Sequence, residues 1–324
     1  MNLNELRVTI EDEVEAILSS RFAINVTSTQ TVPHSDDGAI TFPNLDEMRQ
    51  SCKIVETCVL FIDIRRSTEL NLQHRPQTVS RLYSSFVRAM VRCAEQYNGH
   101  VRGIIGDRLM VIFDVADCFT NAVRTAQAMN TVSSRIINRH FRQNEVSCGI
   151  GIDFGRMLVT KTGFRRHGVE RHNYRSLVWL GRPANVASKL TDIANKNATF
   201  REEPAVNVGR HYPLTNQFSW NTESVQDFIS GLKSEYFLPN VNLFTHSDQY
   251  VFAAHPTTRT VQVSQKSPPI LMTRVVYDGY RAKHPTENSI VNHWYKRCYV
   301  SVPGYDDAVF GGDVILTDLA PAPN

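Results

Sequence analysis

The chain has 324 residues, 42% of them hydrophobic, which is enough for one large folded domain with additions or for two modest domains. Its 35 lysines and arginines nearly balance 32 aspartates and glutamates, so the net charge of +3 provides no overall basic field for nucleic acid or an anionic membrane. No segment approaches the roughly 18 apolar residues of a membrane span, and the first residues lack a signal peptide's basic and apolar regions. We therefore expect a globular cytoplasmic protein with no nucleic-acid partner and no membrane span.

The six cysteines form no CxxC pair and have no metal-finger spacing. Several of them lie in apolar strand or helix patterns, where buried free thiols are common. This pattern predicts a reducing compartment.

The first 54 residues contain a helical pattern and then a polar stretch. Apolar side chains recur at helical spacing over residues 3–20, and Pro33, Gly38 and Pro43 interrupt the part that follows. This predicts an amphipathic N-terminal helix and a linker over residues 1–54. The helix could pack on its own domain or on a second subunit, and the pattern is compatible with both.

From about residue 55 the pattern alternates between strand and helix. Strands are predicted at residues 55–62, 100–104, 109–113, 145–152, 156–160 and 175–180. Helices are predicted at residues 75–97, 115–142 and 183–195. The order β-α-β-β-α-β is that of a split βαβ sheet, so we predict an α+β fold with a ferredoxin-like βαββαβ domain over residues 55–245.

The signal weakens after about residue 200. A helix is predicted at residues 224–234, and short strands are predicted at 248–254, 259–264, 270–276, 295–302 and 308–318. We therefore predict a β-rich C-terminal extension over residues 246–324, to which the pattern assigns no chemistry.

Two aspartates lie where a predicted strand meets a turn. Asp63 follows the apolar run at residues 58–62, and Asp107 follows Gly106 in a predicted hairpin. Two carboxylates brought together from separate strand ends form a hard oxygen site suited to Mg²⁺ or Mn²⁺, and a glycine beside one lets the backbone approach a phosphate. This layout is typical of a metal-dependent nucleotide enzyme.

Positive charge is concentrated in one short stretch, which contains Arg165, Arg166, His167, Arg171, His172 and Arg175. Such a run is either a solvated loop or a loop that faces a triphosphate, and the sequence leaves both interpretations open. It also does not identify which arginine would reach the phosphates.

Four motifs follow one another between residues 61 and 190. They read FIDIRRST at 61–68, IGD at 105–107, GIGIDFG at 149–155 and LGRPANVASKL at 180–190. In this order they resemble the two metal motifs, the glycine-containing central strand and the G-x-x-V-N-x-A-S-R-L helix of class III nucleotide cyclases, the family of adenylate and guanylate cyclases. One such motif alone would be unspecific, whereas four in order are specific.

The resemblance implies a reaction in which a ribose 3′-hydroxyl attacks the α-phosphate of the same nucleotide and expels pyrophosphate. It implies two ions, Mg²⁺ or Mn²⁺, held by Asp63, Asp107 and the carbonyl of Ile64, which lower the pKa of the attacking hydroxyl. It also implies that phosphate oxygens are received by backbone N–H groups at the turn from strand to helix, which are those of Arg66, Ser67 and Thr68.

The resemblance assigns Asn185 and Lys189 to the transition state, where the family has an Asn that orients the ribose and an Arg that stabilises the α-phosphate. Lys189 is a departure, because lysine keeps the charge but lacks the guanidinium fork. The family takes its metal residues from one subunit and its Asn and Arg from the other, which implies a head-to-tail homodimer with two shared sites. The alternative is that Asn185 and Lys189 are simply polar residues on the outside of a helix.

The positions that read the base depart from both purine patterns. Counting from the motifs places Gly103 and Val178 where adenylate cyclases carry Lys and Asp. Guanylate cyclases typically carry Glu and a small polar residue at the same two places. Neither purine pattern is intact in this chain.

The same count places other residues along the base: Phe61, Trp179 and Ala184, with Arg102 one step from the missing Lys. Trp179 could narrow the pocket, and Arg102 could donate hydrogen bonds to the O2 or O4 carbonyl of a pyrimidine. Trp179 is equally compatible with ordinary core packing on a buried strand.

Loss of both purine-reading side chains favours a pyrimidine base. The chain resembles the soluble pyrimidine cyclases of bacterial anti-phage Pycsar systems, which implies UTP, or CTP, as the substrate and a cyclic UMP or cyclic CMP signal for a downstream effector. The alternatives are an adenylate or guanylate cyclase with an atypical base pocket and an inactive cyclase-like nucleotide-binding module. The sequence does not distinguish uracil from cytosine.

Overall fold

The computed structural model describes residues 2–141, 146–162, 165–166, 169–170, 177–238 and 241–320. The chain divides into two compact units, and each is described by itself. The first unit comprises Met1–Lys196, Lys266–Cys298 and Val302–Asn324, and the second comprises Asn197–Gln265 and Tyr299–Ser301. Among the helices in the described ranges, none has the length and apolar character needed to cross a membrane.

Eight α-helices lie in the described part of the chain: α1 (Leu3–Leu18), α2 (Ser67–Gln73), α3 (Pro76–Gln96), α4 (Cys118–Thr131), α5 (Arg182–Ile193), α6 (Val225–Ser230), α7 (Arg274–Lys283) and α8 (Asn288–Val291). The predicted N-terminal helix is therefore present. After α4 the chain continues through a π-helical turn and a 3-10 turn, so the helix predicted at 115–142 changes its hydrogen-bonding pattern near its end.

The strands of the first unit are β1 (Ala23–Ser28), β2 (Arg49–Ile64), β3 (Gly99–Ile105), β4 (Arg108–Phe113), β5 (Cys148–Lys161), β6 (Arg165–Arg166), β7 (Val169–Glu170), β8 (Leu177–Leu180), β14 (Ile270–Thr273), β15 (Lys296–Cys298) and β16 (Val309–Gly312). Strands β9 (Asn197–Tyr212), β10 (Gln217–Ser224), β11 (Leu232–Leu238), β12 (Val241–His246) and β13 (Val251–Lys266) follow α5. The predicted strands at 145–152 and 156–160 are one continuous strand, β5.

Within the described residues, nine strands of the first unit form one sheet around β2 and β5. These two strands pair antiparallel, from Lys53 opposite Val159 to Ile64 opposite Cys148. Strands β4 and β3 extend the sheet beyond β2, and β14, β16 and β15 extend it beyond β5, while β1 pairs with β2 and β8 with β5. The order β2-α3-β3-β4-α4-β5 is the predicted βαββαβ arrangement, and the α+β fold class is confirmed.

One face of this sheet is covered by α3, α4 and α7. Apolar side chains of these helices and even-numbered residues of β2 form the main core, which includes Leu60, Ile62, Phe86, Met90, Met129 and Tyr280. Because side chains alternate along a strand, the odd-numbered residues Phe61 and Asp63 face the other side. The second face of the sheet is therefore the one that carries the candidate site.

Helix α5 lies directly on the second face because two glycines leave room for it. A Cβ atom at Gly149 would lie 2.7 Å from the carbonyl oxygen of Thr191, and Gly151 is crowded by the same helix. Thr191 also donates its hydroxyl to the carbonyl of Phe61 at 3.1 Å. Gly149 pairs with Asp63, so the close packing brings α5 next to this aspartate.

Residues 29–42, here called the N-terminal cover, pack beside α5 on the second face. Val32 and Ile40 are almost fully buried in a second hydrophobic cluster. Asp37 accepts a hydrogen bond from Lys53 Nζ at 2.6 Å, and Asp114 accepts one from the Val32 N–H at 2.7 Å. The predicted linker thus contains an ordered segment that is fixed by specific polar contacts.

Part of the predicted C-terminal extension joins the sheet of the first unit. Strand β14 pairs parallel with β5, from Ile270 opposite Ile150 to Met272 opposite Ile152. The strand predicted at 270–276 is too long, because α7 begins at Arg274. A β-rich C-terminal region is present, whereas the boundaries 1–54, 55–245 and 246–324 stay predictions.

The described part of the second unit contains a three-stranded sheet in the order β10-β9-β13, the hairpin of β11 with β12, and α6. Strand β10 pairs antiparallel with β9. Arg210 on β9 forms ion pairs with Glu223 and Asp248, which tie β9 to β10 and to the turn before β13. The aromatic rings of Trp220 and Phe252 pack edge to face.

Candidate active site

Asp63 and Asp107 come together at one end of the sheet. Asp63 is the penultimate residue of β2, and Asp107 lies in the turn between β3 and β4. Gly106 has a φ of 62° in this turn, a conformation that glycine adopts without strain. Since β4 pairs with both β2 and β3, the turn lies beside the end of β2.

The two carboxylates interact directly. Burial raises the pKa of Asp107, and the negative charge of Asp63 and a hydrogen bond with its carboxylate raise the pKa further, against the opposing hydrogen bond of Ser67. Asp107 Oδ2 is buried and has no hydrogen-bond partner among the described residues. A cation at this place would relieve both the burial of a charged oxygen and the repulsion between the two groups.

Asp63 also faces two arginines. Arg108 Nη2 lies 2.9 Å from Asp63 Oδ2, and Arg65 Nη2 lies 3.6 Å from the same oxygen. The Arg65 side chain is only 6% exposed and donates to the backbone carbonyls of Asp63 and Asp192 at 3.4 Å. Positive charge therefore surrounds Asp63, while an oxygen of Asp107 is left without a partner.

The carboxylate pair fits a divalent ion that is shared with a substrate. Mg²⁺ in nucleotide enzymes is usually held by one or two carboxylates and by substrate phosphates, not by a complete protein cage. In keeping with this, the described side chains include no group of three or more His, Cys, Asp or Glu residues that could hold a metal. Asp63, Asp107 and the carbonyl of Ile64 are the groups that the chain offers.

Asn185 and Lys189 lie one helical turn apart on α5. Asn185 is exposed, and Lys189 is partly exposed and donates its ammonium to the carbonyl of Pro303 at 2.8 Å. The turn at residues 302–305 that supplies this carbonyl contains Gly304 with a φ of 81°. Both side chains thus lie wholly or partly at the surface of the first unit.

The predicted phosphate-binding residues form the turn from β2 into α2. Arg66 adopts a left-handed conformation with a φ of 55°, and the helix begins at Ser67. The first N–H groups of a helix have no partner in a preceding turn, so they are available to an anion. That Arg66, Ser67 and Thr68 bind phosphate stays a prediction.

Several predicted base residues meet in the second hydrophobic cluster. Phe61, Trp179 and Ala184 contact this cluster, as does Met110. Gly103 pairs with Met110, and a Cβ atom at Gly103 would lie 3.6 Å from the Met110 side chain. Trp179 is 9% exposed, and its indole nitrogen is buried with no partner among the described residues. Core packing accounts for the position of the Trp179 ring. The contact of its indole N–H with a base stays a prediction.

Val178 is not part of this cluster, and Arg102 contacts the N-terminal cover. Val178 is next to Trp179 on β8, and neighbouring strand residues point to opposite faces. Arg102 lies at an irregularity in β3, where its Nε donates to the carbonyl of Pro33 at 3.1 Å and its Nη2 lies 3.3 Å from His34 Nδ1. Arg102 is thus tied to the N-terminal cover, and its contact with a base stays a prediction.

The arginine-rich loop predicted to face either solvent or a triphosphate falls largely outside the described residues. Arg165–Arg166 and Val169–Glu170 form a short antiparallel pair. His167, Arg171, His172 and Arg175 lie outside the described part of the chain. The role of the loop stays a prediction.

The residues that connect Asp63 to α5 were not predicted from the sequence. Arg108 Nη1 donates to the Ser188 hydroxyl at 3.0 Å, and Arg108 Nη2 pairs with Asp192. These partners are 80 and 84 residues away along the chain, so local spacing carries no sign of the contact. The available signal was a charged residue directly after Asp107.

This geometry defines a class of site. A carboxylate pair at the end of adjacent strands, beside the start of helix α2, suits a divalent cation and a phosphorylated ligand. Residues 50–224 match the family described as the adenylate and guanylate cyclase catalytic domain. The match covers more than half of the chain, which therefore belongs to this family.

Similar proteins include bacterial pyrimidine cyclases. A uridylate cyclase of Gulbenkiania mobilis is 28% identical over 178 residues, which cover 51% of this chain and 66% of that protein. A uridylate cyclase of Burkholderia cepacia is 25% identical over 176 residues, which cover 53% of this chain and 71% of that protein. The chain thus spans about two thirds of the length of these relatives.

Among solved structures, the adenylyl cyclase CyaB from P. aeruginosa has a TM-score of 0.45 and 16% sequence identity to this chain. The alignment covers 80% of this chain and 94% of that chain.

Proposed function

We propose that this protein is a pyrimidine nucleotide cyclase that converts UTP, or CTP, to the 3′,5′-cyclic monophosphate and pyrophosphate. The observation that carries the proposal is the pair of interacting carboxylates, Asp63 and Asp107, with an unpaired buried oxygen on Asp107. Membership in the cyclase family supports the reaction, and the uridylate cyclases among the relatives support a pyrimidine substrate.

The residues of one protomer hold the triphosphate end of the substrate. Two divalent ions, Mg²⁺ or Mn²⁺, would be held by Asp63, Asp107 and the Ile64 carbonyl, and they would lower the pKa of the ribose 3′-hydroxyl and neutralise charge on the triphosphate. The backbone N–H groups of Arg66, Ser67 and Thr68 donate hydrogen bonds to phosphate oxygens at the start of α2.

The second protomer completes the site through α5. Its Asn185 orients the ribose, and its Lys189 places a positive charge near the α-phosphate while negative charge develops there. Both residues are on the surface of the first unit, which supports a head-to-tail homodimer with two shared sites. A protomer alone would lack one half of each site.

The proposed base pocket lies on the second face of the sheet, where Phe61 and Trp179 contact the same cluster. Gly103 lies beside Met110 and presents no polar group that would read a purine edge. A pyrimidine is smaller and needs fewer partners, so it fits a pocket narrowed by an indole ring. By the same proposal the product is a second messenger in anti-phage defence, made in the cytoplasm and read by a downstream effector.

Incubation of the purified protein with each of the four nucleoside triphosphates and Mn²⁺, followed by chromatography of the products, tests this proposal. We expect cyclic UMP as the main product, or cyclic CMP, and none from Asp63→Ala. A main product of cyclic AMP or cyclic GMP contradicts the base assignment. Undiminished turnover by Asp63→Ala contradicts the metal assignment, and no product from any substrate contradicts the activity.

The base assignment has a separate test in the double variant Gly103→Lys with Val178→Asp. These substitutions restore the two residues that adenylate cyclases of the family carry, so we expect the ratio of kcat/KM for UTP to that for ATP to fall by about tenfold or more. The matched control is Gly103→Ala with Val178→Ala, which adds no polar group. An unchanged ratio in the first variant shows that selectivity resides elsewhere.

A further inference from the structure

The guanidinium of Arg108 connects one metal carboxylate to helix α5. Its Nη2 contacts Asp63 Oδ2 at 2.9 Å and also pairs with Asp192, and its Nη1 contacts the Ser188 hydroxyl at 3.0 Å. Asp63 lies at the end of β2, whereas Ser188 and Asp192 lie on α5. One side chain therefore links the strand that would hold the metal to the helix that carries Asn185.

The partners of Arg108 share a surface stripe with Asn185. Residues three and seven positions apart lie on the same side of an α-helix, so Asn185, Ser188 and Asp192 form one line along α5. The line spans about 10 Å at 1.5 Å per residue. Arg108 thus holds one end of the stripe, and Asn185 lies at the other end.

A cation bound to Asp63 would meet the positive charge of Arg108 at the same oxygen. Two positive groups within about 4 Å repel each other strongly at the dielectric of a protein surface, so the ion and the guanidinium cannot both keep their full interaction with Asp63 Oδ2. Arg65 is buried and held by backbone carbonyls, whereas the Arg108 side chain is 27% exposed. Arg108 is therefore the group that has room to turn away.

We propose that Arg108 is a coupling residue that competes with the divalent ion for Asp63. Through its contacts with Ser188 and Asp192, it links ion binding at Asp63 to helix α5 of the same chain. When the ion binds, the guanidinium leaves Asp63 and stays with Ser188 and Asp192. The competition at Asp63 stands on the geometry alone. The consequence for catalysis rests on the proposed function, in which α5 serves the active site shared with the partner.

The competition is tested by Mn²⁺ titration followed by electron paramagnetic resonance, without nucleotide and at low salt. Arg108→Gln removes the competing charge, so we expect the Kd for Mn²⁺ to fall by about fivefold or more. Asp192→Asn weakens the contact that keeps the guanidinium on α5 when it leaves Asp63, so we expect the Kd for Mn²⁺ to rise. Arg92→Gln is the matched control on α3, where Arg92 contacts Glu95, and should bind Mn²⁺ as the wild type does.

The coupling is tested by hydrogen exchange of residues 182–193 with and without Mn²⁺. We expect Mn²⁺ to change exchange in α5 of the wild type and to leave it unchanged in Arg108→Gln. An unchanged or weaker Mn²⁺ affinity in Arg108→Gln, or binding that Asp63→Asn leaves intact, overturns the inference. Neither measurement needs turnover, so failure of the cyclase assay with these results intact would reject the proposed function alone.

Discussion

At the scale of single residues, the candidate site brings two carboxylates close enough to repel each other. Asp107 is partly buried beside Asp63, and one of its oxygens has no partner among the described residues. The raised pKa of Asp107 reports the same conflict, because burial and the neighbouring carboxylate both disfavour its charged form. Functional sites often keep such a conflict at some expense of stability.

Asp107→Asn should therefore stabilise the metal-free protein. The amide removes the repulsion and can donate to Asp63, so we expect the free energy of unfolding in EDTA to rise by about 1 kcal/mol while cyclase activity is lost. Urea unfolding at neutral pH measures this. Asp12→Asn, an exposed carboxylate on α1, is the control and should leave stability unchanged. A less stable Asp107→Asn protein would contradict the account.

Asp37 gives a pH-dependent prediction. The hydrogen bond from Lys53 lowers the pKa of Asp37 below its ordinary value, so this contact stabilises the fold above the unfolded-state pKa and the stabilisation is lost as the pH falls through the folded-state pKa. We expect Asp37→Asn to cost about 1 kcal/mol near neutral pH. The difference from wild type, measured by urea unfolding, should close below about pH 4. A difference that grows on acidification would contradict this.

At the scale of elements, α5 is positioned by strand β5 and by a turn near residue 303. Gly149 and Gly151 let it approach β5, and the turn at residues 302–305 accepts the Lys189 ammonium. The C-terminal residues therefore contribute to the placement of a proposed catalytic group. This contact was not predicted from the sequence, because Pro303 lies 114 residues after Lys189.

Substitutions at Lys189 distinguish the effect of its positive charge from the effect of its hydrogen-bond geometry. If its charge acts on the α-phosphate, Lys189→Ala should lower kcat by about 100-fold or more, and Lys189→Arg should stay within about tenfold of wild type. The loss of one exposed contact to Pro303 should change the free energy of unfolding by less than about 1 kcal/mol in both variants. Equal activity of Lys189→Ala and wild type would show that the residue only holds the turn.

Local patterns in the sequence predicted the elements that carry the site. The apolar run before Asp63 and the Gly106 turn before Asp107 predicted the strand end and the hairpin, because both signals lie within a few residues. The order of strands and helices then predicted the βαββαβ sheet. The insertion of β14 beside β5 and the start of α7 at Arg274 were not predicted, because they depend on pairing between distant segments.

The site itself was predicted in part. Motif spacing identified Asp63 and Asp107, which the structure brings together, and it placed Phe61 with Trp179. It could not reveal the contacts of Arg108, because one partner, Asp192, lies 84 positions away along the chain. It also assigned Arg102 to a base carbonyl, which stays a prediction, and it did not reveal that Arg102 Nε donates to the carbonyl of Pro33.

At the scale of the whole molecule, each proposed active site is built from two chains. Asp63 and Asp107 belong to one half of the proposed site, and Asn185 and Lys189 belong to the other half. In the proposed homodimer each chain carries both halves, so a symmetric pair would have two equivalent sites. A variant that loses one half can therefore still lend the other half to a partner.

The most direct test mixes two inactive variants, Asp63→Ala and Asn185→Ala, under conditions that let subunits exchange, and measures cyclic UMP formed from UTP. Each variant alone should be inactive. In an equal mixture, half of all dimers combine one chain of each kind, and each of these contains one intact site out of two, so the mixture should recover about a quarter of wild-type activity. A mixture as inactive as either variant alone would contradict the shared two-aspartate cyclase site.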